Sequence, residues 1–303
     1  MARVLEGKRI VVTGSSHGIG RAVALGLAAQ GAQVVVNGSG QGEGGADRAR
    51  AELAALLDEI RRAGGEGLAY VGSVADVEAA RALVETAVEG YGGLDGLVNC
   101  AGIAGRPENS VLEIDLEDWR RVVSIHLDGT FFCIRAAVPH LIRSGGGSIV
   151  NTSSHGHLGG FGGTAYPAAK GAINSLTFAL ATDLRADGIR VNAVCPGAKT
   201  RLSSGPDYEG LIAKLEARGL LTPEAAVASL DVPPPEACAP IYAYLLGDAS
   251  SEVSGRLFST SGPYVGLFDA YREQPIGMRA AEDPIWPVEE LGALVAAKLG
   301  EEA

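Results

Sequence analysis

The sequence predicts an α/β protein built on a doubly wound parallel sheet with helices on both faces. Two observations carry this prediction. Apolar, β-branched runs alternate with longer stretches of helical periodicity from residue 9 to residue 260. Each helical stretch is also long enough to cross back over a sheet, and such crossovers are right-handed and join parallel strands.

The elements follow one another in alternation. Short apolar runs predict seven strands, near 9–13, 33–37, 68–71, 94–99, 147–153, 189–195 and 256–260. Helical periodicity predicts six helices between them, near 19–30, 46–63, 76–91, 118–143, 165–186 and 236–247. The glycine-rich stretch 38–45 predicts a flexible excursion after the second strand.

The alternation is interrupted in two places. Segment 198–235 lacks the strand–helix rhythm and ends in three prolines, and the strand pattern stops after Gly262. We therefore expect a single domain over 1–262 and a C-terminal extension over 263–303. A short helix should begin near Trp286, since the following proline suits a first helical turn.

Composition narrows the function classes. The net charge is −11 and no basic block exceeds two residues, which argues against a nucleic-acid partner. No apolar run approaches the length of a membrane span, and the N-terminus lacks a signal-peptide pattern. We therefore expect a cytoplasmic protein without a membrane partner. The four scattered cysteines favour reduced, buried thiols, and no Cys/His spacing predicts a metal site.

Tyr166 and Lys170 are four residues apart, so their side chains share one helical face. An ammonium beside a phenol favours the phenolate and lowers the pKa of the phenol. Such a phenol exchanges a proton with an alcohol near neutral pH, and a nearby hydroxyl can hold a carbonyl oxygen. The serine pair 153–154, directly after the fifth strand, supplies that hydroxyl. These residues predict acid/base chemistry on a carbonyl or alcohol.

The loop Gly14-Ser15-Ser16-His17-Gly18-Ile19-Gly20 joins the first strand to the first helix. Glycines at these points allow a tight turn and a close approach of the backbone to a ligand, and the helix N-terminus favours an anion. Strand, glycine turn and helix in this order are typical of a dinucleotide-binding Rossmann fold.

Four motifs resemble the short-chain dehydrogenase/reductase family. In chain order they are Thr13-Gly14-x-x-x-Gly18-x-Gly20, Asn99-Cys100-Ala101-Gly102, Ser154 with Tyr166-x-x-x-Lys170, and Pro196-Gly197. The resemblance implies hydride transfer between NAD or NADP and a small-molecule ketone or secondary alcohol. It implies a catalytic set of Ser154, Tyr166 and Lys170, to which we add His126 as a candidate. The implied cofactor-binding residues are Gly14, Ser16, His17, Gly18, Ile19, Gly20, Gly38, Ser39, Ser73, Val74, Asn99, Ala101, Gly102, Tyr166, Lys170, Pro196, Gly197 and Thr200.

A narrower resemblance involves 122–131 and 38–47. These stretches are similar to the (3R)-hydroxyacyl-CoA dehydrogenase part of peroxisomal multifunctional enzymes and to bacterial relatives, which implies 3-oxoacyl or 3-hydroxyacyl substrates. Polyketide ketones, sugars and steroids stay open as alternatives. The family also implies that 198–235 is a lid over the substrate, whereas a plain surface excursion is the other interpretation. A nicotinamide-binding sensor or scaffold on the same fold is the alternative function.

The catalytic serine has two candidates. The strand end points to Ser154, whereas the usual family gap to the tyrosine points to Ser153. We favour Ser154, because loops absorb a deletion more readily than strand ends do. His155, His157 and Phe161 follow and should line the substrate mouth.

His126 stands where most members of the family carry an asparagine that helps to hold a proton-relaying water. It shares a helical face with Trp119, Val122 and Val123 and should point inward. Because a histidine can donate or accept a hydrogen bond, we treat it as a relay candidate. The alternative is a core histidine without a catalytic role.

The choice of cofactor depends on the end of the second strand. NAD enzymes place a carboxylate there for the ribose 2′-hydroxyl, and this chain has Gly38. His17 stands in the glycine loop, where NADP-using relatives often place a basic residue. Both favour NADP over NAD, although no arginine follows Gly38 directly. Ser73 replaces the aspartate that usually contacts adenine, a contact that would weaken or pass to Val74.

The family usually forms tetramers through its two long helices. In the helix predicted over 165–186, one apolar face includes Ile173 and Leu180, and another offers Phe178 and Ala181. A helix that is apolar on two faces must be covered on both. We therefore expect a homotetramer, or at least a dimer.

Overall fold

The computed structural model describes residues 3–104, 110–159, 163–201, 203–219, 222–269, 273, 275–282 and 284–301. Within them an eight-stranded sheet has the order β3-β2-β1-β4-β5-β6-β7-β8, parallel except for the last pair. The strands are β1 Arg9–Val12, β2 Gln33–Gly38, β3 Glu66–Val71, β4 Gly96–Asn99, β5 Gly147–Thr152, β6 Ile189–Pro196, β7 Leu257–Ser261 and β8 Tyr264–Leu267. The predicted doubly wound α/β fold is confirmed.

Helices cover both faces of the sheet. In chain order, the α-helices of the described residues are α1 Gly18–Ala29, α2 Gly45–Arg62, α3 Val77–Tyr91, α4 Leu116–Val123, α5 Gly129–Arg143, α6 Ala165–Asp183, α7 Pro206–Ala217, α8 Pro223–Leu230, α9 Ala239–Leu246 and α10 Val288–Glu301. Successive side chains of a strand point to opposite faces of the sheet. Val34 and Val36 of β2 pack with α1, α2 and α9, whereas Val35 packs with α3, α5 and α6 on the other face.

A π-helical turn, Ser124–Asp128, joins α4 to α5 without a break. The resulting stretch Leu116–Arg143 is the one helix of the described residues that is long and apolar enough to cross a membrane by length and composition. The sequence expectation that no apolar run reaches that length is therefore corrected. Buried core helices pass the same test, and α5 contributes Cys133, Ile134 and Leu141 to the core beneath the sheet.

Several elements were not predicted. Strand β8 pairs antiparallel with β7 through Ser259 and Gly266, although the sheet was expected to end near Gly262. Segment 198–235 contains α7 and α8.

Two residues of α6 were expected to lie on its second apolar face. Phe178 packs against Ala193 and Leu257, and Ala181 is buried. Ala181 is therefore covered within its own fold and Phe178 only in part, and assembly through this helix stays a prediction.

The chain divides into two compact units, 1–268 and 269–303. In the second unit Arg279 pairs with Glu290 at 2.8 Å and lies 5.5 Å from the ring of Trp286. Helix α10 begins one residue after Pro287, so the predicted terminal helix is confirmed.

Candidate active site

The glycine loop is shaped by steric limits on three of its residues. Gly14 and Gly18 have φ of +61° and +59°, a region that favours glycine. A Cβ on Gly14 would lie 2.5 Å from the Cα of Ala101, and one on Gly20 would lie 2.4 Å from the oxygen of Gly14. The backbone therefore forms a close-fitting cradle at the start of α1. The His17 side chain does not cap that helix, so its first amides can face an anion such as a pyrophosphate.

The loop after β4 is tied to this cradle. The Thr13 hydroxyl accepts hydrogen bonds from the amides of Cys100 at 2.9 Å and Ala101 at 3.0 Å. Asn99 donates its side-chain amide to Asn151 on the neighbouring strand at 2.9 Å. A Cβ on Gly102 would lie 2.4 Å from His126, so the same loop also meets the catalytic side of the site.

Other predicted cofactor residues lie around the same edge. Thr200 approaches Gly18, since a Cβ there would lie 3.6 Å from the threonine methyl. Gly197 donates its amide to Thr260 at 2.7 Å, which holds the turn after Pro196. The hydroxyls of Ser39 and Ser73 accept bonds from the amides of residues 41 and 75, so both shape their own loops. Two apolar members, Val74 and Ile19, are packed into the hydrophobic core.

Ser154, Tyr166 and Lys170 come together beside the cradle. The Ser154 hydroxyl caps a short 3₁₀ turn, accepting from the Gly156 amide at 3.0 Å, and it faces the Tyr166 phenol, whose pKa it lowers. Lys170 is only 4% exposed. Its Nζ donates to the Thr152 carbonyl at 2.7 Å and lies 5.6 Å from the centroid of the Tyr166 ring.

Ser153 occupies a different environment. Its side chain is buried, and its hydroxyl donates to the backbone carbonyl of Lys170 at 3.4 Å. It also contacts the Cys195 thiol. Of the two serines, Ser154 is therefore the one that lowers the pKa of the phenol.

The expected lowering of the Tyr166 pKa is wrong for this structure. Burial raises the pKa of Tyr166, and the bond from Ser154 opposes that rise only in part. Burial also lowers the pKa of Lys170 to about 8. Because the pair sits in a poorly hydrated interior, desolvation acts against the charged form of both groups. The neutral phenol is the resting form of the tyrosine near pH 7.

His126 points inward, as its helical face predicted, and is 1% exposed. The π-helical turn carries it, and such turns are frequent at functional sites. Its Nε2 lies 2.8 Å from the oxygen and 3.1 Å from the amide of Ile103. Its ring meets the Tyr166 ring edge-on at 5.2 Å, and Nδ1 has no partner among the described residues.

Burial, assisted by the charge of Lys170, lowers the pKa of His126 to about 3. The imidazole is therefore neutral at physiological pH. It can orient a hydrogen-bonding partner, but it does not carry a proton as an imidazolium. The sequence predicted that His126 takes part in a proton relay, and its neutral form limits that part to orienting a hydrogen-bonding partner.

Four ionisable side chains, of which only His17 was used in the sequence argument for the cofactor, lie together near the start of α2. The Glu52 cluster consists of Glu52, Arg48, Arg201 and His17. Glu52 Oε1 lies 3.0 Å from Arg48 Nε and 3.8 Å from Arg201 Nη2, and its Oε2 lies 3.9 Å from His17 Nδ1. The available signal was the i,i+4 spacing of Arg48 and Glu52 in a predicted helix.

Gly38 connects this cluster to the cradle. A Cβ on Gly38 would lie 3.4 Å from Ala49 and 3.5 Å from Ser16. The end of β2, the glycine loop and the first turns of α2 therefore converge. That is the place where a dinucleotide-binding fold holds the adenosine ribose.

The two histidines that follow Ser154 lie close to an aromatic ring from the end of β8. The Phe268 ring lies 5.6 Å from that of His155 and 5.2 Å from that of His157. His157 Nδ1 lies 2.6 Å from the Ser154 carbonyl oxygen. Phe161 lies outside the described residues. Within the part of the chain that the structure describes, no group of three or more His, Cys, Asp or Glu side chains could hold a metal.

A glycine cradle at the carboxyl edge of a parallel sheet, next to a buried tyrosine–lysine pair, defines a Rossmann-fold oxidoreductase. Comparison with known proteins agrees. The model of the short chain dehydrogenase family matches residues 8–204. Meso-2,3-butanediol dehydrogenase of Serratia marcescens is 36% identical, over 85% of this chain and 94% of its own length.

Two further relatives bear on the fold and on the narrower resemblance. A crystal structure of a short chain dehydrogenase from Mycobacterium avium has a TM-score of 0.78 and 33% identity, covering 98% of this chain and 96% of that one. Peroxisomal multifunctional enzyme type 2 of Drosophila melanogaster is 34% identical over 92% of this chain and 43% of its own length. The chain belongs to the short-chain dehydrogenase/reductase family and is an oxidoreductase acting on CH–OH donors.

Proposed function

We propose that this enzyme interconverts a ketone and a secondary alcohol, with Tyr166 as acid/base and NADP as its preferred cofactor. The observation that carries the proposal is the grouping of the Ser154 hydroxyl, the Tyr166 phenol and the Lys170 ammonium next to the glycine cradle. A sensor or scaffold has no need of a buried phenol, hydroxyl and ammonium in contact. We therefore favour the enzyme over the alternative of a binding module.

The bound nicotinamide supplies or accepts the hydride at the substrate carbon. In reduction, the Ser154 hydroxyl holds the carbonyl oxygen and the Tyr166 phenol gives it a proton. Lys170, close to the ring, stabilises the phenolate that is left. In oxidation the phenolate takes the proton back from the alcohol. Neutral His126 keeps the Ile103 loop in place against the Tyr166 ring.

The decisive variant is Tyr166→Phe, which removes only the proton carrier. We expect turnover to fall by about 10²- to 10⁴-fold, while cofactor affinity measured by fluorescence titration stays within about twofold of wild type. Tyr264→Phe on strand β8 is the matched control, because its ring is 58% exposed. Activity of Tyr166→Phe close to wild type would refute the mechanism.

The preference for NADP rests on two features. Gly38 brings no carboxylate to the ribose, and Arg48 and Arg201 bring positive charge to the same place. Arginine is well suited to a phosphate monoester. We expect a lower KM for NADPH than for NADH. A preference for NADH of about tenfold, equivalent to about 1.4 kcal/mol, would contradict this assignment.

Three rings lie close to one another near Ser154, those of His155, His157 and Phe268, and they limit which substrates fit. These rings offer an apolar wall with polar edges. The resemblance to the Drosophila multifunctional enzyme favours 3-oxoacyl or 3-hydroxyacyl substrates, and the basic residues of the proposed lid 198–235 suit coenzyme A phosphates. A panel of acyl-CoA esters and simple cyclic or linear ketones, assayed with both cofactors, would decide between these classes.

We also propose that copies of the chain assemble through the outer faces of α5 and α6. Phe131 on α5 is 42% exposed, and three of the exposed positions of α6 are small: Ala168, Ser175 and Ala179. Small residues allow close helix approach across a two-fold axis. Phe131→Asp should lower the mass measured by light scattering. A fully active wild-type monomer at micromolar concentration would exclude the proposed assembly.

A further inference from the structure

Glu52 lies among basic side chains that come from three separate parts of the chain. His17 belongs to the glycine loop, Arg48 to the first turn of α2, and Arg201 to the segment after β6. All three reach the carboxylate of Glu52, at distances from 3.0 to 3.9 Å. An i,i+4 pair with Arg48 alone would be an ordinary surface interaction. Because His17 and Arg201 also lie near this carboxylate, the basic groups form an anion-binding site, and the anion in it is the carboxylate of Glu52.

The environment of His17 shows that the members of the cluster act on one another. Burial lowers the pKa of His17, and the positive charges of Arg201 and Arg48 lower it further, while Glu52 raises it. His17 is therefore neutral near pH 7, and the two arginines supply the positive charge. With one carboxylate and two guanidinium groups, the cluster carries a net charge of about +1.

A phosphate monoester needs the same partners that Glu52 holds. Guanidinium groups bind phosphate and carboxylate oxygens with similar geometry. Two anions at the same guanidinium groups repel each other, and at this half-exposed site the repulsion is only partly screened. A phosphate that binds here must therefore weaken the contacts of Glu52 with the two arginines.

We propose that Glu52 is an internal competitor of the cofactor 2′-phosphate and so sets how strongly the enzyme prefers NADP. This inference rests on the proposed function, which places the 2′-phosphate at Arg48 and Arg201. Glu52 keeps the arginines in place, but it holds the affinity for the 2′-phosphate below what they would otherwise give. The carboxylate limits the preference for NADP without contacting the reacting atoms.

The test compares Glu52→Gln with wild type in binding of adenosine 2′,5′-bisphosphate and 5′-AMP, measured by isothermal calorimetry. These probes differ only in the 2′-phosphate, and binding is measured without turnover. Glu52→Gln should tighten the bisphosphate by about tenfold and leave 5′-AMP within about twofold. The gain should shrink in 0.5 M salt, since screening weakens the repulsion that was removed.

The matched control is Glu59→Gln, on the same helix and paired with Arg21. It removes an equal charge away from the cluster and should leave the ratio of the two affinities unchanged. Unchanged or weaker binding of the bisphosphate to Glu52→Gln would overturn the inference. Failure of the proposed NADP preference would be seen separately, as wild type that binds the two probes equally.

Discussion

The group of Ser154, Tyr166 and Lys170, proposed to carry the reaction, and the Glu52 cluster both contain ionisable side chains, but they lie in opposite environments. Lys170 is 4% exposed, whereas the side chain of Arg201 is 61% exposed. Desolvation dominates the first group, shifting the pKa of the phenol upward and that of the ammonium downward. In the second group, burial lowers the pKa of His17, and the charges of Arg201, Glu52 and Arg48 also act on it. The first should therefore respond to pH and to small changes of shape, and the second to charge and salt.

The largest effect that separates the two groups is expected from Lys170→Met. Loss of the ammonium leaves the phenolate of Tyr166 without its stabilising charge in a poorly hydrated site. We expect kcat to fall by about a hundredfold, as measured by initial rates with either cofactor. Lys8→Met, at the opposite end of β1, removes an equal charge from the pair with Asp248 and should have little effect. Similar losses in the two variants would show that the effect is not local.

An intermediate effect is expected from Gly38→Asp. The new carboxylate can accept a bond from a ribose 2′-hydroxyl and repels a 2′-phosphate held near Arg48. Space permits it, since a Cβ there meets its nearest neighbour at 3.4 Å. The ratio of kcat/KM for NADH to that for NADPH should rise by about tenfold. Gly38→Ala is the control for side-chain size. An equal change of the cofactor ratio in that variant would show that size, and not charge, is the cause.

The smallest effect concerns the pH profile. Because the pKa of Tyr166 is raised, the phenolate is scarce at pH 7 and becomes more abundant as the pH rises. Alcohol oxidation should therefore rise with pH between pH 7 and pH 9, while ketone reduction stays level or falls. Ser154→Ala removes the bond that lowers this pKa and should move the oxidation profile to higher pH. A shift toward lower pH would mean that the serine does not favour the phenolate.

The same contrast explains which parts of the site could be predicted from the sequence. The cradle depends on where glycine is required, so Gly14 and Gly20 can be identified from their spacing alone. Tyr166 and Lys170 are one helical turn apart and were also predictable. Arg201 is brought to Glu52 by tertiary folding across about 150 residues of sequence, and no local pattern signals that contact.

The fold itself was predictable where strands are buried on both faces. Strand β2, with its run Val34-Val35-Val36, is an example. Strand β8 has four residues, and three of them, Tyr264, Val265 and Leu267, are more than half exposed. It therefore lacks the alternation that marks a half-buried strand. Ser153 and Ser154 are neighbours in sequence, and only the structure shows that the Ser153 hydroxyl donates to the Lys170 carbonyl whereas Ser154 lowers the pKa of Tyr166.

The π-helical turn at Ser124–Asp128 has a consequence for insertions and deletions. Such a turn holds one residue more than an α-helix needs, and each residue of an α-helix advances by about 100°. Removing one residue here would let the helix return to the ordinary α-helical phase. His126 would then turn away from Tyr166, or Cys133 and Ile134 would turn away from the sheet. The extra residue allows His126 to face Tyr166 while Cys133 and Ile134, further along the same helix, face the sheet.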